Sequence, residues 1–344
     1  MEMSVNRQSG IAKSWRHGVN GTLRAAASCL LAAACSAVLS PAVQAQTYPA
    51  KPIRLIIPFG VGGSSDNTWR VVAPKLSEAL GQQVVIDNRA GAGSTIGAAL
   101  VASAPPDGYT LLGTANVHAL SGALYKGLSY HPVNDFDAVA RLAELATVLV
   151  VHPSLPVKSV RELISLAKSK PGRIDYCSAG VGTGQHMFMT LFMSMAAIEM
   201  THVPYKSTNT MLPDLIAGRV QANISATSIS VPHVTSGRLR ALAVTSARRS
   251  QFIPEVPTLD EAGVRGYEAA LQEGLLVRKG VPAEIISRLE RELKRISSMP
   301  EVQKSLLASG SEPAFATADQ FNAILKGDFE KWSKLIQQVG IKVD

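Results

Sequence analysis

The sequence predicts an α/β protein made of two similar halves, each a mostly parallel sheet flanked by helices. Three observations carry that expectation. Short apolar segments alternate with helical patterns from residue 52 onward, the order that gives parallel strands joined by crossover helices. A strand, a glycine-rich turn and a helix follow one another twice, near residues 53–80 and again near 174–198. After Gly280-Val281-Pro282 the composition changes to helix formers. The chain has 344 residues, 46% of them hydrophobic, and its mean hydropathy is +0.14, enough to bury a core in each half.

The first half opens on Ile53, Leu55, Ile56 and Ile57, an apolar run suited to a strand buried on both faces. Pro58 stops it. Gly60, Gly62 and Gly63 let the backbone turn sharply and uncover its N–H groups. Ser64, Ser65 and Asp66 are N-cap candidates for a helix running to Leu80. Pro74 lies inside that helix and predicts a kink or a separate first turn, at a cost of roughly 3 kcal/mol. A short strand at 83–87 precedes the loop Asn88-Arg89-Ala90-Gly91-Ala92-Gly93 and a helix over 94–102. Pro105-Pro106-Asp107-Gly108 is a turn. A third strand at 109–113 ends in Thr114-Ala115-Asn116, and residues 131–137 read as a polar connector.

The second half starts with the very apolar strand Val148-Leu149-Val150-Val151. An amphipathic helix over 157–170 places Val160, Leu163, Ile164 and Ala167 on one face. Ile174 to Cys177 is a strand leading into Ser178-Ala179-Gly180-Val181-Gly182-Thr183-Gly184 and a methionine-rich helix over 185–198. Short strands follow at 202–205, 220–225 and 239–245, with a short helix at 211–217 between the first two. Residues 267–278 are apolar without helical caps. Helices are expected over 283–298, 301–309 and 318–339.

The amino terminus reads as an export signal. Arg7, Lys13, Arg16 and Arg24 precede the small apolar run Ala25 to Leu39, and Val43-Gln44-Ala45 sets cleavage after Ala45. The run is about 15 residues, short of the roughly 20 that span a bilayer. Lipidation at Cys35 is the weaker alternative, because Ala32 stands where a lipobox has Leu or Val. Residues 46–344 keep 30 Lys+Arg against 25 Asp+Glu, a net charge of +5. That surplus is scattered, and aromatics are 5%, which argues against nucleic acid as a partner. Cys177 is the one cysteine outside the signal, so no intrachain disulfide and no thiolate metal site is expected.

The glycine turns invite nucleotide readings, and the residues resist them. No Gly-Lys-Ser/Thr follows Gly60–Gly63, and the last glycine of 180–184 comes one residue early for a dinucleotide fingerprint. No Gly-x-Ser-x-Gly elbow and no HExxH occurs, so neither an enzyme nor a cofactor is expected. What remains is an anion nest: open backbone donors at the positive end of a helix dipole, twice. In open α/β sheets ligands bind at the carboxyl ends of strands, so two such units facing each other line a cleft. His186 and Lys206 stand where they could donate to an anion.

An ordered set of motifs resembles the Bug receptors, the substrate-binding proteins of tripartite tricarboxylate transporters. It runs from Tyr48-Pro49 to Pro58-Phe59, then Gly62-Gly63 and Asp66, Leu80-Gly81-Gln82, Asn88 to Gly93, Pro106 to Leu112, Asp135-Phe136, Val151 to Pro156, His202 to Lys206 and Pro257-Thr258. The resemblance implies a monomeric periplasmic Venus-flytrap receptor with a type II-like fold and two crossover strands, near 144–149 and 268–276. Lobe one is then 46–145 plus 272–344, and lobe two 146–271. It implies a small carboxylate ligand, a di- or tricarboxylate or an aromatic acid. Delivery is to membrane permease subunits or, alternatively, to a sensor kinase. The implied ligand contacts are Phe59, Gly60, Val61, Gly62, Gly63, Ser64, Asp66, Thr114, Ala115 and Asn116 on lobe one. On lobe two they are Ser178, Gly182, Thr183, His186, Tyr205 and Ser207. Thr190 and Gln221 replace family acids, Ser207 a glycine, Gln272 a tryptophan, and Trp69 a small residue. Those changes, with Trp69, Phe188 and methionines near the site, point to a less polar, aromatic carboxylate.

Overall fold

The structure, a computed structural model, describes residues 48–115 and 117–341. The expected signal, its cleavage after Ala45, Cys35 and Asn116 lie outside the described residues.

Two mixed sheets form the framework. The first has the order β11-β4-β10-β3-β1-β2 and the second β7-β6-β8-β5-β9. In the first sheet, β1 (Ile53–Ile57), β2 (Val84–Asn88) and β3 (Thr110–Ala115) are parallel, while β4 (Phe136–Leu145), β10 (Leu271–Arg278) and β11 (Glu312–Ala316) join antiparallel. In the second, β6 (Asp175–Ser178), β7 (Thr201–Pro204) and β8 (Ala222–Ala226) are parallel, and β5 (Thr147–Val151) pairs antiparallel with both β8 and β9 (Arg240–Val244). The parallel part of each sheet comes from strand–helix repeats. The antiparallel pairs are made by β10 and β5, the two strands that enter from the other sheet, and by β11 on β4.

β1 is buried on both faces, as its unbroken apolar run requires. Ile53, Leu55 and Ile57 pack with Trp69, Leu76, Leu289 and Leu293, and Ile56 packs on the other side with Ala98, Leu112 and Phe321. Each such side chain contributes on the order of 1.5–3 kcal/mol. Around the second sheet, Leu149, Tyr176 and Ile224 pack with Phe188 and Phe192, while Val148, Val150 and Cys177 pack with Met211 and Leu215.

The chain passes from the first sheet to the second between β4 and β5, where only Ala146 intervenes. It returns after the Ala269 N–H has bonded the Thr245 carbonyl at 2.9 Å, entering β10 at Leu271. A third link lies in the C-terminal helix (Ala318–Val339). Phe321 and Leu325 belong to the first-sheet core, whereas Trp332 and Leu335 pack with the second.

Two local expectations change. The helix Ser64–Leu80, α1, runs without a break through Pro74. Pro74 is exposed beside an exposed Arg70, so the carbonyl that loses its partner meets water. Its N-cap is Gly63, with no side-chain cap, because the Ser65 hydroxyl and the Asp66 carboxylate have other partners. Four elements carry no clear sequence pattern. They are β4, interrupted by Arg141 and Glu144; β11, which contains Pro313; and the helices Val117–Leu124 and Thr227–Thr235, the second containing Pro232.

Candidate ligand-binding site

The two glycine turns have one backbone design. Gly62 has φ +80° and Gly182 φ +78°, values that favour glycine. Gly63 N–H bonds the Gly60 carbonyl at 3.1 Å, and Thr183 N–H bonds that of Gly180 at 3.4 Å. The helix behind each turn then begins the same way. Asn67 N–H bonds Gly63 O at 2.9 Å, and Met187 N–H bonds Thr183 O at 2.9 Å. The N–H groups of Ser64, Ser65 and Asp66 on α1 have no intrahelical acceptor, nor do those of Gly184 and Gln185 on the helix Gly184–Ala196. The positive helix ends therefore open onto the two turns. Val61 and Val181, at matching positions, are 74% and 47% exposed.

Each turn is pinned by the side chain four residues after its middle glycine. Asp66 Oδ2 accepts from Gly62 N–H at 2.8 Å and from Arg70 Nε at 2.7 Å, and its Oδ1 accepts from Asn88 Nδ2 at 3.0 Å. Asn88 Nδ2 also donates to the Phe59 carbonyl at 3.0 Å. Burial pushes the Asp66 carboxyl upward, and the bonds from Arg70, Gly62 and Asn88 outweigh it and hold the group below the usual carboxylate range. Asp66 is thus a buried support for the turn, with both oxygens engaged. On the second turn, His186 Nδ1 accepts from Gly182 N–H at 3.2 Å. Burial, with the neighbouring His202, lowers His186 to about 4, so it is neutral near pH 7 and its proton sits on Nε2. His202 stacks on His186 at 4.2 Å and on Tyr176 at 4.8 Å, and its Nε2 lies 2.7 Å from Ser178 Oγ.

The remaining expected residues divide by role. Thr183 caps its helix, its Oγ1 accepting from His186 N–H and donating to the Gly180 carbonyl at 2.8 Å. Ser178 Oγ donates to the same carbonyl at 3.0 Å. Ser207 caps the helix Thr208–Ile216 in a capping box with Thr210. Tyr205 N–H continues the ladder to Ser178 O at 2.9 Å, and its hydroxyl donates to Asp214 Oδ2 at 2.8 Å. Burial and that bond push the Tyr205 hydroxyl up to about 12. Thr114 is buried and Ala115 lies at the end of β3. Lys206 is exposed. Trp69, Met187 and Met189 are fully buried, and Phe188 nearly so. They belong to the cores, so they give no aromatic wall to a ligand, and the part of the aromatic-acid expectation that rested on them falls away.

Three supports escaped the sequence reading. Asn88 was visible only as part of a motif, and Gln185 holds the second loop by accepting from Ala179 N–H at 2.8 Å. Glu273, buried in β10, accepts from Ser65 Oγ. An acid inside an apolar strand was the available signal. Among the described residues no cluster of three or more His, Cys, Asp or Glu is placed to hold a metal, and no helix is long and apolar enough to cross a membrane.

The family model described as "Tripartite tricarboxylate transporter family receptor" matches residues 68–341. Protein BugT of Bordetella pertussis is 34% identical over 303 residues, covering 88% of this chain and 93% of BugT. The solved structure of R. palustris Rpa4515 with adipate is 35% identical, covers 86% of this chain and 99% of that one, and has a TM-score of 0.72. MatC from Rhodopseudomonas palustris with bound malate is 27% identical, covering 84% and 100%, with a TM-score of 0.69.

Proposed function

The chain belongs to the tripartite tricarboxylate transporter receptor family, Bug proteins included, and from that premise we propose that it is a periplasmic receptor for a small dicarboxylate with a short apolar body. The observation that carries this is the pair of matched turns. Each offers backbone donors at a helix N-terminus, held by a side chain that adds no net charge to the wall: Asp66 is balanced by Arg70, and His186 is neutral. A carboxylate at each nest is then bound by dipoles rather than by a cation. Val61 and Val181 beside the nests suit a methylene body. Relatives with adipate and with malate support the ligand class.

The ligand contacts on this reading are the Phe59–Ser64 turn with Ser65 N–H, the end of β3, and the Gly180–Gln185 turn. Asp66, Ser178, Thr183, His186, Tyr205 and Ser207 hold those turns in shape. The two lobes, 46–145 plus 272–344 and 146–271, close on the ligand about the β4–β5 and β10 crossings, and the closed form is stabilised only with ligand bound. The receptor then delivers its ligand to membrane permease subunits. It performs no chemistry on the ligand.

Isothermal titration of the purified protein with adipate, malate, citrate and benzoate tests this. Saturable one-to-one binding of a dicarboxylate, with a smaller radius of gyration in solution scattering, is the expected result. Binding of none of adipate, malate and citrate, or consumption of a bound acid, would overturn it.

A further inference from the structure

β10 carries an acid among apolar neighbours, in the run Leu271-Gln272-Glu273-Gly274-Leu275. Glu273 is 1% exposed. Its carboxyl takes the Ser65 hydroxyl, with Oγ 2.7 Å from each of its oxygens. Burial pushes Glu273 up to about 7, and the bond from Ser65 offsets only part of that.

Among the described residues, no element packed against Glu273 brings it a counter-charge. β3 sets Ala115 opposite it and β4 sets Ala143. Arg141, opposite the next residue Gly274, is taken by Gln272, Glu144 and the Ala314 carbonyl. The C-terminal helix lays Phe321 over Gly274, and the helix Thr95–Ser103 has no titratable residue. On α1, Asp66 and Arg70 pair with each other.

Ser65 therefore serves two groups. Its hydroxyl holds Glu273, and its backbone N–H is one of the open donors of the first nest. We propose that Glu273 is a positioning residue of the ligand site, fixing the first turn of α1 through Ser65 and taking up a proton when an anion is seated on that turn. The proposal rests on the nest being the ligand site. The physical reason is competition: a ligand carboxylate and an ionised Glu273 share the positive end of one helix dipole, in a place water screens poorly. A like charge disfavours ionisation, so the bound anion raises the Glu273 pKa above its free value. By linkage, binding consumes a proton where the free protein is ionised and the complex is not. Affinity then falls as pH rises through the free value, by up to about tenfold per pH unit. Asp66 is held low and stays ionised there. His186 and His202, both lowered by burial, titrate on the acid side of that window.

The test is calorimetric titration with adipate from about pH 6 to about pH 9, in buffers of differing ionisation enthalpy, which counts protons exchanged on binding. The expected result is uptake that grows above neutrality, a Kd about tenfold weaker at the alkaline end, and Glu273→Gln flat in both. Glutamine keeps an acceptor for Ser65, so the turn survives in that variant. Adipate binding without proton uptake would overturn the proposal and leave the receptor reading standing. So would a Glu273→Gln variant that still takes up a proton. Failure of adipate, malate and citrate to bind at any pH would remove the receptor reading, and the proposal with it. If Glu273→Gln does not fold, wild-type uptake decides: a midpoint near neutrality supports the proposal, and no uptake overturns it.

Discussion

The turn at Gly60–Gly63 and the turn at Gly180–Thr183 make the same hydrogen bonds with different side chains. The middle glycine donates to the residue four positions on, which is Asp66 in one and His186 in the other. The backbone path is set by the positive φ of Gly62 and Gly182 and by the start of the helix. The acceptor is interchangeable, provided it accepts. The cost of that acceptor differs. A buried carboxylate needs Arg70 and Asn88 to remain ionised. A buried imidazole needs no counter-ion, but it stops accepting once protonated.

Removing the two pins should separate them first in stability. Asp66→Ala strips the acceptor from Gly62 N–H and one partner from Asn88, and leaves the Arg70 guanidinium alone. Loss of one partner of a buried pair costs roughly 3–5 kcal/mol, but the Arg70 side chain is half-exposed and can return to water. A loss of about 2–3 kcal/mol is expected in urea unfolding, well above that of His186→Ala. Equal losses would mean that the charge on the first pin is immaterial.

The glycines should behave alike. Gly62→Ala and Gly182→Ala each force a side chain into the left-handed region, at about 1–2 kcal/mol apiece. A methyl on Gly62 meets open space, so strain is the whole cost there. Matched losses in unfolding free energy are expected, with a larger drop in adipate affinity than in stability for Gly62→Ala, because Gly62 lies in the turn that carries the nest. A difference above about 1 kcal/mol between the two variants would break the equivalence of the turns.

The parallel was only half legible in the sequence. Glycines, apolar strands and following helices announce both units, because φ and periodicity are local properties. The same local logic placed β1, the helix Gly184–Ala196 and the C-terminal helix. The equivalence of Asp66 and His186 could not be read, since an acid and an imidazole share no sequence signature as acceptors. Trp69 and Phe188 follow the turns, which put them near the ligand on a reading of the sequence alone. The helices instead point them into the cores, which spacing along the chain does not reveal without the partner sheet. Glu273 was hidden for another reason. Its partner Ser65 lies 208 residues away, and β10 reaches α1 only because the chain returns from the second sheet.

The smallest expected effect at neutral pH is the sharpest test of the comparison. Glutamine at position 186 keeps an acceptor within reach of Gly182 N–H, so His186→Gln should cost under about 1 kcal/mol near pH 7. The variants part in acid. His186 falls from its ordinary 6.5 to about 4 in the folded chain, mainly through burial, so the fold favours neutral imidazole. Its contribution is therefore full above 6.5 and is lost as pH falls through about 4. The Asp66 carboxyl lies below 3.8, so its own contribution persists across that window and is lost only in stronger acid. Unfolding free energy measured from neutrality down to about pH 4 should fall less steeply for His186→Gln than for wild type. His202, also lowered, leaves a residual slope in the variant. Adipate affinity should follow the same order, because protonating His186 puts an N–H against that of Gly182 and unpins the second turn while the first keeps its shape. An unchanged slope in His186→Gln would place the acid sensitivity elsewhere, and the second turn would then be held by Thr183, Ser178 and Gln185.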